Sequence, residues 1–111
     1  MAYYVPERGH IVWLNFTPQS GREQAGKRPA FVISPAAYNK KVGLALFCPV
    51  TSQVKGYPFE VLIPDGYNTR GVILSDQMKS LDWHARKARF IEKLSLHTTE
   101  EVINKAATLI F

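Results

Sequence analysis

Two short apolar runs constrain the fold of this chain most strongly, because neither has a polar side that could face water. They are Ala30–Ile33 and Leu44–Val50, and glycine, proline or polar residues flank both. A strand that is apolar on both faces belongs in the centre of a sheet that is covered on both sides. Pro49 has no N–H to donate to a β-ladder, so it predicts an edge or a bulge near the end of the second run.

Glycine and proline divide the rest of the chain into similarly short segments, which is typical of a small β-rich fold. Alternating residue types predict a first strand at His10–Phe16. Further strands are predicted at Phe59–Ile63, Gly71–Leu74 and Arg86–Ile91. Between the two apolar runs, Ala36–Gly43 is predicted to be a polar connection with room for one helical turn.

The C-terminal segment has a helical period instead. Thr98 and Glu101 have the spacing of a capping box, so we predict that a helix begins at Thr98 and that His97 precedes it. The apolar residues that follow recur at helical intervals: Val102, Ile103, Ala106, Leu109 and Ile110. Short strands followed by one helix predict a mainly β fold, a small curved sheet or partial barrel that a C-terminal helix covers. At this length, residues 1–111 are expected to form a single domain.

The charge of the chain is positive and unevenly distributed. The formal net charge is +5, and residues 98–111 contribute −1 to it. Residues 1–97 therefore carry 13 basic and 7 acidic side chains, a net charge of +6. Such a basic body favours a polyanionic partner, most simply nucleic acid.

Other features narrow the compartment and the chemistry. No run approaches the ~18 apolar residues that cross a bilayer, so we expect no membrane association. The single cysteine, Cys48, favours a reducing cytoplasm, and we interpret it as a small buried hydrophobe. The three histidines lack the spacing of a zinc site, and phosphate-binding glycine loops and dense carboxylate clusters are absent from the sequence. We therefore predict no cofactor and no metal.

Three polar loops resemble one another, since each carries hydroxyl groups, an amide and a cation. The first ends at Lys27-Arg28, the second is Thr51–Pro58, and the third is Ser75–Ser80. Such groups contact phosphates and base edges, and Tyr57 or Phe16 could stack on a base. A solvated loop is the ordinary interpretation of each one alone. Three of them in one basic chain favour a functional role.

Arg28 is the most informative residue of these loops. Pro29 biases it toward an extended backbone where the loop becomes a strand, and its planar guanidinium suits a phosphate. A metal-free nuclease is then possible for RNA, whose 2′-OH supplies an internal nucleophile. In that chemistry Arg28 would stabilise the phosphorane, Thr51 would hold a phosphate oxygen, and Glu23 would accept a proton.

Several motifs occur along the chain in a fixed order, and together they cover nearly its whole length. An opening strand, Gly9–Phe16, contains Trp13, and it is followed by Glu23–Ala30, Ser34-Pro35, Pro49–Gln53, Lys55–Val61 and Asp76–Ser80. In order and spacing, these segments together resemble the MazF/PemK family of toxin endoribonucleases.

The resemblance implies a compact SH3-like partial barrel that works as a homodimer. It implies metal-independent, sequence-selective cleavage of single-stranded RNA, chiefly mRNA, to a 2′,3′-cyclic phosphate and a 5′-OH. The partner would be a cognate antitoxin whose acidic, partly hydrophobic tail blocks the RNA groove. Two segments, Pro18–Arg22 and Asp65–Arg70, depart from the family pattern, so the recognised RNA sequence does not carry over.

The same resemblance assigns site residues. It places catalytic roles on Arg28 and Thr51, with Glu23 as the loop carboxylate. The positions that would contact RNA are Trp13, Phe16, Thr17, Lys27, Ser52, Gln53, Lys55, Gln77, Lys79 and Ser80.

Two alternatives remain open on the sequence. A non-enzymatic toxin of the same fold could poison a protein target such as DNA gyrase, although the gyrase poisons lack the Arg-Pro and Thr-Ser-Gln elements present here. A plain RNA-binding module without catalysis is the other alternative.

Overall fold

The computed structural model describes residues 3–16 and 26–111, and these contain seven β-strands and two α-helices. In chain order the elements are β1 (His10–Asn15), β2 (Lys27–Val32), α1 (Ala36–Val42), β3 (Leu44–Thr51), β4 (Glu60–Leu62), β5 (Val72–Leu74), β6 (Lys79–Asp82), β7 (Arg89–Lys93) and α2 (Leu96–Ala107). Neither helix is long and apolar enough to cross a membrane in this described part of the chain.

The strands form an open antiparallel sheet in the order β4-β5-β3-β2-β1-β7. β3 is central: one edge pairs with β2, and the other pairs first with β6 and then with β5. The β6 register ends at Phe47 and the β5 register begins at Val50. Pro49 lies between these two registers, so its missing N–H falls where the strand changes partner rather than at an outer edge of the sheet.

Apolar side chains pack on both faces of the central strands, as the two apolar runs predict. In β2, Ala30 and Val32 belong to one buried cluster and Phe31 to the other. In β3, Phe47 lies in the first cluster and Cys48 in the second. α2 covers the second cluster with Val102 and Ala106, and Trp83 and the N-terminal segment pack against the first. The prediction of a mainly β fold with a C-terminal helix is confirmed.

The predicted start of the C-terminal helix, Thr98, is wrong by two residues. α2 begins at Leu96, and Ser95 is its N-cap, with Oγ accepting a hydrogen bond from the Thr98 N–H at 3.2 Å. Thr98 is buried, and its hydroxyl bonds to Ser95 Oγ at 3.1 Å, so it packs inside the first turn instead of capping it. His97 therefore lies within the helix. α1 is also longer than the single predicted turn.

Two strands near the C-terminus differ from the sequence prediction. Lys79 and Ser80 belong to the predicted polar loop Ser75–Ser80, but in the structure they form the first half of β6, a strand in which only Leu81 packs against a core cluster. The sixth predicted strand, Arg86–Ile91, is displaced to Arg89–Lys93, because residues 83–87 form a turn. Lys87 has a φ of +56° in this turn, a backbone conformation that the residue pattern did not signal.

A buried asparagine on α1 connects parts of the chain that are distant in sequence. Asn39 is fully buried, and its Nδ2 donates to the carbonyl oxygens of Pro6 (2.8 Å) and Ser34 (3.0 Å). Its Oδ1 accepts from Ser34 Oγ at 2.5 Å, and its backbone oxygen accepts from Trp83 Nε1 at 2.9 Å. This network fixes the N-terminal segment, the β2–α1 connection and the turn before β7 against one helix.

We predict that Asn39→Ala lowers the free energy of unfolding by about 2–4 kcal/mol, because two buried carbonyl oxygens and one buried hydroxyl lose their partner. Urea unfolding followed by tryptophan fluorescence measures this loss. Asn104→Ala, an exposed asparagine of α2, is the control and should change stability by less than about 0.5 kcal/mol. Equal effects of the two substitutions would contradict the role of the network.

Candidate active site

Strand register brings Arg28 and Thr51 to the same end of the sheet. β2 and β3 are antiparallel, and Ala30 lies opposite Pro49. Continuing that register by two residues puts Arg28 opposite Thr51, on the same face because side chains alternate along a strand. Both residues line one cleft of about 400 Å³. The prolyl residue after Arg28 is itself part of β2, so the guanidinium projects from a strand rather than from a loose loop.

All three predicted polar loops meet at this cleft. Arg28 comes from the first, Lys55 from the second and Gln77 from the third. The other residues that line the cleft are Pro49, Val50, Thr51, Gln53, Tyr57, Glu60 and Leu74. The cleft thus combines two cations, two side-chain amides, two hydroxyls and one carboxylate with three apolar residues. That set can hold the phosphate of a nucleotide and present hydrogen-bonding groups to its base.

The Thr51 hydroxyl already has one hydrogen bond, which orients it. The Gln53 N–H donates to Thr51 Oγ1 at 3.1 Å, a local turn in which the side chain accepts from the backbone two residues later. Because this bond uses an oxygen lone pair, the hydroxyl hydrogen can still donate to a phosphate oxygen. The arrangement suits a residue that holds a phosphate.

Glu60 fixes the loop that follows Thr51. Its carboxylate accepts from the Lys55 N–H, with the shorter contact at 3.1 Å, and from the Gly56 N–H at 3.1 Å. This carboxylate lines the cleft but is committed to the backbone of its own loop. Its residue type alone does not mark Glu60 as a site residue, although it stands four and five residues after the amides it binds.

A second anchor joins the same loop to the third one. The Tyr57 hydroxyl donates to Asp76 Oδ2 at 2.6 Å. This hydrogen bond, together with partial desolvation and the negative charge of Asp76, raises the pKa of Tyr57 above its ordinary value. The tyrosine therefore lines the cleft, and its hydroxyl joins the second polar loop to the third.

The backbone of Gly71 packs directly against the backbone of Thr51. A Cβ at Gly71 would lie 2.1 Å from the Thr51 carbonyl oxygen and 3.0 Å from Ser52 Cα. Its φ of +112° is also one that residues with a side chain rarely adopt. Only glycine lets this backbone approach the end of β3 so closely. Sequence reasoning placed Gly71 at the start of a strand and missed this contact.

The predicted site residues divide into three groups. Arg28, Thr51, Gln53, Lys55 and Gln77 line the cleft, and Ser52 lines an adjoining recess with Arg28, Thr51, Gln53 and Arg70. Glu23 and Thr17 lie outside the described residues. The remaining ones lie away from the cleft.

The predicted site residues that do not line the cleft lie in several other parts of the structure. Phe16 packs against the buried cluster of Val12 and Ala30. Trp13 is 40% exposed on β1, and Lys79 and Ser80 are exposed on β6. Lys27 faces a different recess, because neighbouring residues of a strand point to opposite sides.

The cysteine and the first histidine are structural. Burial, with the nearby Asp76 charge adding to it, raises the pKa of Cys48 to about 12, so the group stays a thiol at neutral pH. Burial also lowers the pKa of His10, whose Nδ1 lies 2.6 Å from the Tyr4 hydroxyl. Within residues 3–16 and 26–111, the His, Cys, Asp and Glu side chains form no group of three that could hold a metal ion.

Comparison with known proteins identifies similar chains over nearly the full length. A family model described as PemK-like, MazF-like toxin of type II toxin-antitoxin system matches residues 7–110. The endoribonuclease toxin MazF of Escherichia coli strain K12 is 53% identical over 85 residues, which cover 77% of this chain and 76% of that protein. Crystalline MazF from Deinococcus radiodurans has a TM-score of 0.88 and 52% identity over 97% of this chain and 98% of its own. A MazE–MazF complex from the same organism gives 0.89 and 50%, over 96% and 97%.

We predict that Gly71→Ala displaces the end of β3 and lowers the free energy of unfolding by roughly 3 kcal/mol, because it adds a backbone clash to an unfavourable φ. Gly66→Ala is the matched control, since Gly66 has a similar φ of +100° but open space around its Cβ position. It should cost roughly 1 kcal/mol. Urea unfolding gives the stabilities, and amide NMR shifts of Thr51 and Ser52 should move only in Gly71→Ala.

The loop before Gly71 is held by a carboxylate, which makes its stability depend on pH. Glu92 accepts from the Asn68 N–H at 2.9 Å and the Thr69 N–H at 2.7 Å. Partial burial favours the protonated acid, but hydrogen bonds from the Thr69 side chain and these two amides outweigh it and lower the pKa of Glu92. The folded state therefore gains stability above the ordinary carboxyl pKa of 4.5 and loses it as pH falls through the lowered value.

Glu92→Gln should accordingly reduce the free energy of unfolding by roughly 1–2 kcal/mol at neutral pH. The difference from the unmodified protein should shrink as pH falls below about 4.5, because the carboxyl of the unfolded chain is protonated there before the native carboxylate, whose pKa is lower. Urea unfolding at a series of pH values measures both effects, with the exposed Glu100→Gln as control. A difference that is independent of pH would contradict this role of Glu92.

Proposed function

Because the chain belongs to the PemK-like, MazF-like toxin family of type II toxin–antitoxin systems, we propose that it is a toxin that cleaves single-stranded RNA, chiefly mRNA in the cytoplasm. Its relatives MazF and PemK carry the name endoribonuclease, which favours this activity over poisoning of a protein target such as gyrase. One observation carries the proposal: Arg28 and Thr51 line one cleft, together with Gln53, Lys55 and Gln77.

The proposed reaction uses a nucleophile that the substrate brings with it. The ribose 2′-oxygen attacks the adjacent phosphorus, a new P–O2′ bond forms, and the P–O5′ bond breaks. The products are a 2′,3′-cyclic phosphate and a 5′-OH, and no metal ion is required. The phosphorane in between carries more negative charge on its oxygens than the diester does. Catalysis then depends on positioning the diester and stabilising that charge.

Arg28 and Thr51 are suited to those two tasks. The guanidinium of Arg28 offers planar, permanently charged donors to two phosphorane oxygens. The Thr51 hydroxyl, oriented by the Gln53 amide, holds one oxygen in place. Lys55 lines the same cleft and adds a second positive charge. The Gln53 and Gln77 amides, each with a donor and an acceptor, would read base edges.

Proton transfer requires a base for the 2′-OH and an acid for the leaving 5′-oxygen. Glu23 is proposed as the base. Glu60, the carboxylate among the described residues that line the cleft, is held by two backbone amides, which favours a structural role for it. Arg28 or a solvent molecule supplies the proton to the 5′-oxygen in this proposal.

The proposed partners are a second copy of the chain, as a homodimer, and an antitoxin with an acidic, partly hydrophobic tail. A chain with TM-score 0.89 to this one was crystallised as a MazE–MazF complex. The net charge of +6 over residues 1–97 supports electrostatic attraction of such a tail. The tail would compete with RNA for the cations of the cleft.

The test is cleavage of a long mixed-sequence RNA by the purified protein in EDTA. We expect Arg28→Ala and Thr51→Ala each to lower the cleavage rate on the order of 100-fold or more, because each removes a donor to the phosphorane. Replacing the nucleotide 5′ of the cut with a 2′-deoxynucleotide should abolish cleavage there. The product 3′ ends should be cyclic phosphates.

Lys41→Ala is the control variant, since it removes one exposed cation from α1, away from the cleft. It should cleave at the unmodified rate. Cleavage that requires added metal, or that survives both the Arg28 and the Thr51 substitutions, would refute the proposed site.

A further inference from the structure

We propose that a second group of cations, separate from the cleft, binds phosphates of the RNA strand away from the scissile bond. This group, the basic recess, is lined by Asn15, Lys27, Arg86, Lys87 and Arg89 and has a volume of about 240 Å³. The inference rests on the proposed function, because it takes the same RNA as ligand. It adds a backbone-binding site that lengthens the stretch of strand the protein holds.

Strand pairing assembles the basic recess from three neighbouring strands. β1 lies between β2 and β7, with Asn15 opposite Lys27 on one side and Trp13 opposite Arg89 on the other. Lys27 and Arg89 therefore flank β1 on one face of the sheet. Strands lie ~4.8 Å apart and the two positions are two residues out of line along β1, so the backbones of these cations are about 12 Å apart. Both are exposed.

Arg86 has a structural role in the recess. Its Nη1 donates to the carbonyl oxygens of Phe16 (2.9 Å) and Asn15 (3.3 Å), and its own carbonyl accepts from the Asn15 N–H at 3.0 Å. These bonds fasten the turn at residues 83–87 to the end of β1. The turn then presents Lys87 and Arg89 beside Lys27.

Lys87 is held in an unusual conformation. With φ at +56°, it is the one residue other than glycine with a positive φ in the described part of the chain. Its N–H donates to the His84 carbonyl at 3.1 Å, which fixes that geometry. Backbone strain of this kind points to a functional constraint on the position of a side chain. Here it places an exposed cation at the rim of the recess.

The charges of the recess are not compensated by the described acidic residues. Across residues 3–16 and 26–111, the ion pairs join Glu7 to His10 and Lys93, and Glu101 to Lys105. Lys27, Arg86, Lys87 and Arg89 take part in none of these pairs. The described residues that line the recess are four cations and one amide, so its charged and hydrogen-bonding groups suit the oxygens of a phosphate backbone.

The basic recess is distinct from the cleft but adjacent to it along the chain. The two share no lining residue among those described. They meet at the start of β2, where Lys27 points into the recess and Arg28 into the cleft. An RNA strand that passes the start of β2 can therefore bind one phosphate at Arg28 and others at Lys27, Lys87 and Arg89.

The test compares two double variants in nucleic-acid binding. Lys87→Asn with Arg89→Gln removes two charges of the recess, and asparagine tolerates the positive φ. Lys40→Gln with Lys41→Gln removes two exposed charges from α1 as the matched control. The probe is a fluorescent 2′-deoxy single strand of about 20 nucleotides, which lacks the 2′-OH and stays intact, and a second probe is about 4 nucleotides long.

For the long probe we expect the recess variant to bind on the order of tenfold more weakly at low salt. The slope of log affinity against log salt should fall by about 1.4, since each phosphate contact to a single strand contributes about 0.7. The recess variant should bind the short probe as the unmodified protein does. The control variant should keep the salt dependence of the unmodified protein for both probes. Urea unfolding checks that both variants are folded.

Equal slopes for the recess and control variants would overturn the proposal. So would a recess variant that binds the long strand normally but loses binding to a polyglutamate peptide, since the recess would then serve an acidic protein. Cleavage of RNA by the unmodified protein is measured in parallel. Absence of cleavage would refute the proposed function, whereas the slope reports on the recess alone.

Discussion

The site depends on how β3 is paired. β3 keeps β2 along one edge but exchanges β6 for β5 along the other, and Pro49 stands at that exchange. The last residue of the strand, Thr51, is paired with Val72 of β5, two residues beyond the pair that Pro49 forms with Ala30 of β2. Gly71 closes the remaining space behind its carbonyl. A hydroxyl on an otherwise exposed strand end gains the fixed position that phosphate chemistry requires.

Residue patterns predicted the centre of this fold better than its periphery. Both apolar runs, Ala30–Ile33 and Leu44–Val50, have apolar residues on both faces. A strand that must bury both faces can do so only in the middle of a covered sheet. β6 gave no such signal, because only Leu81 faces the core and its pairing with β3 depends on backbone hydrogen bonds. The N-cap was misplaced because Ser95 and Thr98 both have hydroxyls at suitable spacing, and only tertiary burial of Thr98 decides between them.

The candidate site was also predicted only in part, because residue types can be recognised in a sequence and contacts between distant residues cannot. Loops with hydroxyls, amides and cations were recognisable, and three of them do converge on Arg28 and Thr51. The supporting contacts were not recognisable, because they join residues by geometry rather than by type. A glutamate that binds backbone amides, as Glu60 does, and a glycine that makes room for a carbonyl, as Gly71 does, look ordinary in a sequence. Their roles emerge only from the register of the sheet.

The alternation of Lys27 and Arg28 between two surfaces has an evolutionary consequence. Side chains at the start of β2 can be exchanged one at a time, but an insertion or deletion between Lys27 and Phe31 would rotate every later residue to the opposite face. Phe31 is fully buried, so an insertion between it and Arg28 would either remove Phe31 from the core or, if Phe31 stayed buried, turn Arg28 out of the cleft. Selection for a packed interior therefore also preserves which side chains of β2 face the cleft and which face the recess. Homologous chains should differ at this strand by substitution and keep its length.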